Sequence, residues 1–232
     1  MKHYIVNLSS FTNEKATELY KNMDRYFARN VEGYEMYRYY DGNAVLRSWI
    51  CIPLTMGIYN RAEGTVAALF SDKLWMENGL LTQSGTSTYW DRSTLYAFRG
   101  AYACGAREIA TEYLEKYSAT RLLGDHVPYA VEAWPEGNQR HLSTESALYC
   151  RIMTEGLFGI RPIALNAFKL TPQLPEGWNT MSLKRICAFG TTFDIEVKRN
   201  KGNTLLVLIK KDDKIIEKYK VGNGKPIEVR IK

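Results

Sequence analysis

The feature that most constrains the fold of this chain is a change in hydrophobic period near Arg161. Before that residue, apolar side chains recur at helical spacing, as Leu95 and Phe98 do. After it they alternate with polar ones, in runs such as residues 193–197 and 205–209. Helical segments followed by strands argue against parallel βαβ units, so the pattern predicts an α part with an appended antiparallel β part.

Amphipathic helical patterns account for much of the first 160 residues. A helical hairpin is predicted where two patterns, residues 91–104 and 109–117, are separated by a short segment containing Gly105, because glycine suits the left-handed end of a helix. The other helical patterns are residues 12–30 with Thr12 as the N-cap, residues 63–75, and a last helix that Ser143 caps and that ends near residues 156–159.

Turn signals divide the C-terminal region into hairpins. They lie at residues 201–203, 212–213 and 223–224, between the alternating runs. The sequence therefore predicts a mainly α chain in two domains: helical hairpins over residues 1–160, and a small antiparallel β-sandwich-like domain over residues 161–232.

Composition excludes several classes of protein. Apolar residues make up 45% of the chain and charged residues 24%, which is ordinary for a globular protein with a core and unlike disordered or collagen-like chains. No apolar run approaches the ~20 residues that a membrane span needs, so no membrane partner is predicted. The first 15 residues are too polar for a signal peptide, which leaves a cytoplasmic protein or a fragment of a longer exported one.

The excess positive charge is confined to the C-terminal strands. Residues 196–232 contain 11 Lys and Arg against 5 Asp and Glu, so the rest of the chain is neutral. A basic region can bind phosphate groups, but these lysines alternate with apolar residues, as at residues 214–220. That alternation favours a solvated strand face, and no nucleic-acid partner is predicted.

Cysteine and histidine patterns do not indicate a cofactor. The four cysteines, Cys51, Cys104, Cys150 and Cys187, form no C-x-x-C pair, and buried reduced thiols are the simpler interpretation. With three histidines in the whole chain, a histidine-based metal site would need ligands from distant segments. We expect neither a metal site nor a cofactor.

Two loops concentrate aromatic, acidic and small polar residues: residues 83–92 and residues 129–137. This mixture suits sugars, because a pyranose presents apolar C–H faces for stacking and hydroxyl groups for hydrogen bonding. Sugar hydrolysis in most families also needs two carboxyl groups across the scissile bond. Residue types alone leave Trp90 and Trp134 equally open to interpretation as core aromatics.

The order of these segments resembles the last two hairpins of six-hairpin glycosidases. The Tyr89–Arg92 motif, a helical hairpin, a loop reading Glu-Ala-Trp-Pro-Glu-Gly at residues 132–137 and a Ser-rich helix start are similar to processing α-glucosidases, trehalases and glucoamylases. The Glu-Ala-Trp segment is similar to one that precedes the final barrel helix in α-L-rhamnosidases. Residues 156–162, followed by strands, resemble the exit from the barrel in rhamnosidases and inverting disaccharide phosphorylases.

This resemblance covers residues 85–190 best, and it implies a partial (α/α) toroid before the β-domain. It implies that Glu132 is the general base that activates water, with Glu136 as a rival. Its implied substrate-binding residues are Tyr89, Trp90, Asp91, Arg92 and Trp134. Where the α-glucosidase motif has Arg-Gly after its Trp, this chain has Asp91 and Arg92, which leaves the substrate class open.

The acid partner of Glu132 is harder to place. These families have the general acid far upstream, and the acidic residues in an aromatic setting there are Glu32, Glu35 and Asp41, within a Tyr-rich run. Structural alternatives stay open for the other candidates. Glu132 could pair with Arg140, Asp91 could serve only as a charge at a helix N-terminus, and Glu145 could be a first-turn residue of the last helix.

Two functions follow. The first is inverting hydrolysis of a glycosidic bond, with a glycoside as substrate and Glu132 as base, in a chain that holds only part of a catalytic domain. The second is a non-catalytic carbohydrate-binding or structural module. Because a half-toroid exposes apolar helix faces, we also expect a homo-oligomer or association with a missing barrel half.

Overall fold

The computed structural model describes residues 2–123 and 143–231 of the chain. It contains the α-helices α1 (Lys2–Phe27), α2 (Ile52–Thr55), α3 (Ala62–Leu69), α4 (Asp91–Ala103), α5 (Arg107–Arg121) and α6 (Ser143–Arg151). A 3₁₀ turn, Ser48–Cys51, leads into α2, and a π-helical turn, Ile152–Leu157, continues α6. None of the helices in these two ranges is long and apolar enough to cross a membrane.

The strands form four antiparallel sheets within the same ranges. Two are short hairpins in the N-terminal half: β1 (Ala28–Val31) with β2 (Tyr34–Tyr37), and β3 (Trp75–Met76) with β4 (Gly79–Leu80). Two larger sheets follow, of order β11-β6-β5 and β10-β9-β8-β7. Their strands are β5 (Arg161–Ala164), β6 (Ala167–Leu170), β7 (Thr180–Ala188), β8 (Thr191–Arg199), β9 (Thr204–Lys211), β10 (Lys214–Gly222) and β11 (Ile227–Arg230).

The predicted mainly α fold with a partial toroid is wrong. Helix and strand contents are nearly equal, at 37% and 32%, and strands occur in both halves of the chain. The Tyr-rich run, residues 33–41, is predicted to lie in a helical domain, but its first part forms β2 of the β1–β2 hairpin. Its turn places Glu32 and Gly33 at φ angles of 51° and 101°, which is the left-handed pair that a two-residue hairpin turn requires.

Two predicted helix boundaries also differ. Helix α1 begins at Lys2, so Thr12 lies inside it and is not its N-cap, and it ends at Phe27, where β1 begins. The helix predicted over residues 63–75 stops at Leu69. Ser71 explains the stop, because its hydroxyl donates to the Ala68 carbonyl and accepts from the Lys73 amide, which occupies groups that a helix would need.

The predicted α4–α5 hairpin is confirmed. Helix α4 ends at Ala103 and α5 begins at Arg107, and Gly105 between them has a φ of 93°. The hairpins predicted between β8 and β9 and between β9 and β10 are also present. These features depend on neighbours along the chain, which is why periodicity and turn residues locate them.

One buried apolar cluster extends from the helices into the sheets, including Leu54, Phe98, Tyr102, Phe168 and Val207. Backbone hydrogen bonds join the π-helical turn to the segment that follows strand β6. The Gln173 amide donates to Leu157, and the Thr171 amide donates to Phe158. Helices and sheets therefore meet near residue 160, while the division into two domains at that point stays a prediction.

Candidate functional site

The Tyr89–Arg92 motif forms the entry to helix α4. Trp90 is the N-cap residue in an extended conformation, and its amide donates to the Leu80 carbonyl at 2.9 Å. A tryptophan side chain has no oxygen that could accept hydrogen bonds from the first helical amides, so other contacts stabilise the start of the helix. Thr94 Oγ1 accepts from the Leu80 amide at 3.0 Å and donates to the Trp90 carbonyl at 2.9 Å. This arrangement fixes the direction in which the indole leaves the helix.

The loop before Trp90 is fastened to the N-terminal half of the chain. Its Thr82 amide donates to Thr88, and isolated bridges join Leu81 to Tyr89 and Arg47 to Gln83. The Ser84 hydroxyl donates to a Glu32 carboxylate oxygen at 3.1 Å. The four residues from Tyr89 to Arg92 are thus held in place by backbone contacts on both sides.

Asp91 lies in the interior. It is fully buried, and one of its oxygens accepts from Arg121 Nη2 at 3.0 Å, with the Arg121 side chain only 2% exposed. The pair joins the beginning of α4 to the end of α5. A buried carboxylate at this point compensates a buried guanidinium.

Arg92 faces the first turn of α6. Its Nε donates to Glu145 Oε1 at 2.7 Å, and the Glu145 carboxylate is fully buried. Within the described ranges, Glu145 Oε2 and the buried Trp90 Nε1 have no hydrogen-bond partner. Buried polar atoms are nearly always satisfied, so these two are exceptions, and both are also shielded from solvent. The Arg92–Glu145 contact spans 53 positions and was not predicted from the sequence.

Beside the helix entry is an aromatic cleft that sequence reasoning missed. We define it as the cavity of about 440 Å³ lined by Tyr37, Tyr39 and Trp49 together with Arg38 and apolar residues of α1 and α2. The Trp49 ring contacts the Trp90 ring edge-on, with centroids 5.2 Å apart. The contact between these two indole rings therefore places the Tyr89–Arg92 motif next to the cleft.

The polar groups of the aromatic cleft are few and well placed. Arg38 donates to the Tyr26 carbonyl at 2.8 Å and pairs with Asp41, while its buried Nε has no partner in the described part of the chain. The Tyr37 hydroxyl donates to Asp24 at 3.0 Å. Burial and this hydrogen bond raise the pKa of Tyr37 to about 12, so the phenol stays protonated at neutral pH.

The three upstream acidic candidates are each engaged in structural contacts. Glu32 accepts from the Leu46 amide at 2.9 Å and from Ser84, with Lys73 Nζ 3.6 Å away. Asp41 is paired with Arg38, and the exposed Glu35 accepts from Asn30 Nδ2 at 3.0 Å. None of these three residues is among those that line the aromatic cleft.

Glu132, Glu136 and Trp134 lie outside the described residues, so their predicted roles stay predictions. The same holds for the alternative pairing of Glu132 with Arg140. Elsewhere, the described residues include no group of three or more His, Cys, Asp and Glu side chains placed to hold a metal ion.

Comparisons with known proteins found no matching family model, no similar curated protein and no similar solved structure. The function must therefore be argued from the site itself. Sequence analysis did not identify Tyr37, Tyr39 and Trp49 as site residues. One sequence signal could have indicated two of them, because Tyr37 and Tyr39 belong to the Tyr-rich run.

Proposed function

We propose that this chain is a glycoside hydrolase-like protein that binds a glycan in the aromatic cleft, next to the Tyr89–Arg92 motif. One observation carries the proposal: three aromatic rings, those of Tyr37, Tyr39 and Trp49, line a cavity together with the side chain of Arg38. The volume of about 440 Å³ falls within the ~300–1,000 Å³ range of small-molecule sites.

The chemistry of the cleft matches that of a sugar. A pyranose ring can stack its C–H face on Trp49 or Tyr39, while the Arg38 guanidinium group donates to a hydroxyl oxygen. A cavity with aromatic faces and one cationic donor suits a ligand that has both apolar C–H faces and hydroxyl groups.

Hydrolysis within this proposal assigns Glu132 as the ionised base that takes a proton from water on the face opposite the leaving group. Inversion requires a second carboxyl group, protonated, about 6.5–9.5 Å from the base. Glu32, Glu35 and Asp41 each take part in a structural contact and do not line the aromatic cleft, so we assign none of them as that acid. This observation favours the second candidate function, carbohydrate binding without catalysis by this chain alone.

Binding is tested by calorimetry with a panel of oligosaccharides on the wild type, Trp49→Ala and Arg38→Met. Losing one stacked ring or one charged donor costs about 1–2 kcal/mol, so affinity should fall roughly tenfold or more. Trp178→Ala is the matched control, because Trp178 is 38% exposed and lies outside the cleft. Trp49→Phe retains an aromatic face and should retain most of the affinity.

The proposal of a glycan site fails if Trp49→Ala folds normally and binds every ligand as well as the wild type does. Catalysis is tested separately with aryl glycosides, including an α-L-rhamnoside and an α-glucoside, on the wild type and Glu132→Gln. Turnover abolished by Glu132→Gln identifies the base. Glycan binding without turnover in either protein supports the non-catalytic function.

A further inference from the structure

A second cavity lies where the β1–β2 turn meets the beginning of helix α3. We call it the polar cavity and define it by six aromatic or polar residues that line it: Tyr34, Glu35, Tyr59, Asn60, Arg61 and Glu63. Its volume is about 750 Å³, which falls within the ~300–1,000 Å³ range of small-molecule sites. The polar cavity is therefore large enough to hold a ligand.

One carboxylate oxygen connects the polar cavity to the aromatic cleft. Asp24 Oδ1 accepts from the hydroxyl group of Tyr37, which lines the cleft, and lies 3.6 Å from Nε of Arg61, which lines the polar cavity. Strand β2 connects the two cavities as well, because Glu35 and Tyr37 lie roughly 7 Å apart on the same face of this strand. The two cavities are therefore neighbours, at a separation that one oligosaccharide chain can span.

The groups that line the polar cavity match those of a sugar. The rings of Tyr34 and Tyr59 provide faces for stacking against C–H groups, and Tyr59 is 43% exposed. The carboxylate of Glu63 and the side-chain amide of Asn60 are exposed and make no hydrogen bond in the described part of the chain. A carboxylate accepts hydrogen bonds, an amide donates and accepts them, and a sugar hydroxyl group does both, so these groups complement one another.

The charges around the polar cavity favour a neutral ligand over an anion. One guanidinium group, that of Arg61, lies among three carboxylates, which are those of Asp24, Glu35 and Glu63. The neighbouring ammonium group of Lys73 is paired with a carboxylate of its own, that of Glu32. A nucleic acid or another polyanion would therefore meet net repulsion here, whereas uncharged hydroxyl groups would not.

We propose that the polar cavity binds further units of the same glycan that occupies the aromatic cleft, so that the ligand is an uncharged oligosaccharide chain and not a single sugar. One unit stacks on Trp49 or Tyr39 in the cleft, the chain passes Asp24 and Arg61, and a later unit stacks on Tyr59. This inference rests on the proposed glycan binding in the aromatic cleft, and it adds the length and the charge of the ligand.

The experiment measures binding of malto-, cello- and xylo-oligosaccharides to the full chain by calorimetry, from the disaccharide to the hexasaccharide of each series. We expect affinity in at least one series to rise about tenfold or more between these two lengths, as one more stacked ring and its hydrogen bonds provide. Hexagalacturonate and a short single-stranded DNA are the anionic probes. Both should bind more weakly than the best neutral hexasaccharide, because the carboxylates of the polar cavity repel them.

Variants locate the added units. Tyr59→Ala and Asn60→Ala should each lower the ratio of hexasaccharide to disaccharide affinity about fivefold, as loss of one stacked ring or one hydrogen bond does. Tyr59→Phe keeps the ring and should retain most of this ratio. Tyr26→Ala is the matched control, because Tyr26 is 51% exposed and lines neither cavity. Trp49→Ala should weaken binding of both lengths.

Equal affinity for the disaccharide and the hexasaccharide, with binding still dependent on Trp49, would overturn this inference and leave the glycan site of the cleft standing. A gain with length that Tyr59→Ala and Asn60→Ala both leave unchanged would also overturn it, because a longer chain has more ways to occupy the cleft alone. Tighter binding of either anionic probe would do the same.

Absence of binding in all three series up to about 10 mM would contradict the proposed function together with this inference. Tyr59 and Asn60 are both exposed, so their substitution is not expected to unfold the protein. Melting curves of the two variants check this directly.

Discussion

The buried pair of Asp91 and Arg121 gives the sharpest test, because it separates a structural role of Asp91 from the substrate-binding role that the sequence suggested. Both side chains are almost completely buried, so solvent does not screen their interaction. Removing one partner of such a buried pair typically costs about 3–5 kcal/mol. We therefore expect Asp91→Ala to lower the free energy of unfolding by about that amount.

Thermal and urea unfolding measure the effect. For a chain of this size each kcal/mol shifts the midpoint by about 2–4 °C, so Asp91→Ala should lower Tm by roughly 6–20 °C. The double variant Asp91→Leu with Arg121→Met removes both charges and should recover most of this loss. Glu112→Ala, which breaks the exposed pair with Lys116 on α5, is the control and should leave Tm unchanged.

The reasoning would be refuted if Asp91→Ala had the same free energy of unfolding as the wild type. It would also be refuted if the double variant lost as much stability as the two single variants lose together. If Asp91→Ala also kept its stability but lost affinity for the glycan, Asp91 would be a binding residue, as the resemblance implied. The deciding quantity is the coupling free energy, which is the difference between the loss of stability in the double variant and the sum of the losses in the two single variants.

Three further predictions concern packing and charge. Thr94→Val should cost about 1–3 kcal/mol in urea unfolding, because it leaves the buried Leu80 amide without an acceptor, whereas Thr17→Val on the exposed face of α1 should cost little. Gly64→Ala should destabilise the protein although alanine favours helices, because the added Cβ would lie 2.0 Å from the Glu35 carbonyl oxygen; a more stable variant in the same assay would contradict this. Burial alone would raise the pKa of Glu155, but the hydrogen bond from Arg151 and the three nearby arginine charges outweigh it and lower the pKa below its ordinary value of 4.5. The resulting stabilisation is complete above 4.5 and lost as the pH falls through the lower folded value, so the stability gap between wild type and Glu155→Gln should be wide at about pH 7 and narrow at about pH 3.

The sequence predicted those parts of the fold that depend on neighbouring residues. The α4–α5 hairpin and the β8–β9 hairpin follow from a periodic stripe and a turn residue within a few positions. The fold class was missed because the β1–β2 hairpin has a Glu-Gly turn, not the Asn-Gly that signals such turns, and because β3 and β4 have two residues each. Strands this short leave no alternation to detect.

The candidate site was predictable only in part, for a related reason. The aromatic character of the Tyr89–Arg92 motif was evident, but what each side chain contacts depends on pairs far apart in sequence. Arg121 lies 30 positions from Asp91, and Glu145 lies 53 from Arg92. The cleft forms where α1, β2 and the turn before α2 lie next to one another. The sequence pattern of each segment does not indicate that these three segments are neighbours.

Strand β10 carries part of the excess positive charge of the C-terminal region. It is an edge strand, and its exposed face carries Lys214, Lys218 and Lys220 beside the exposed Ile215 and Ile216. Open strand edges can recruit other chains, and lysines with a bulge, here between Ile215 and Glu217, prevent this. Acetylating these lysines would remove the charges that protect this edge, so we expect it to increase association between chains, as measured by light scattering.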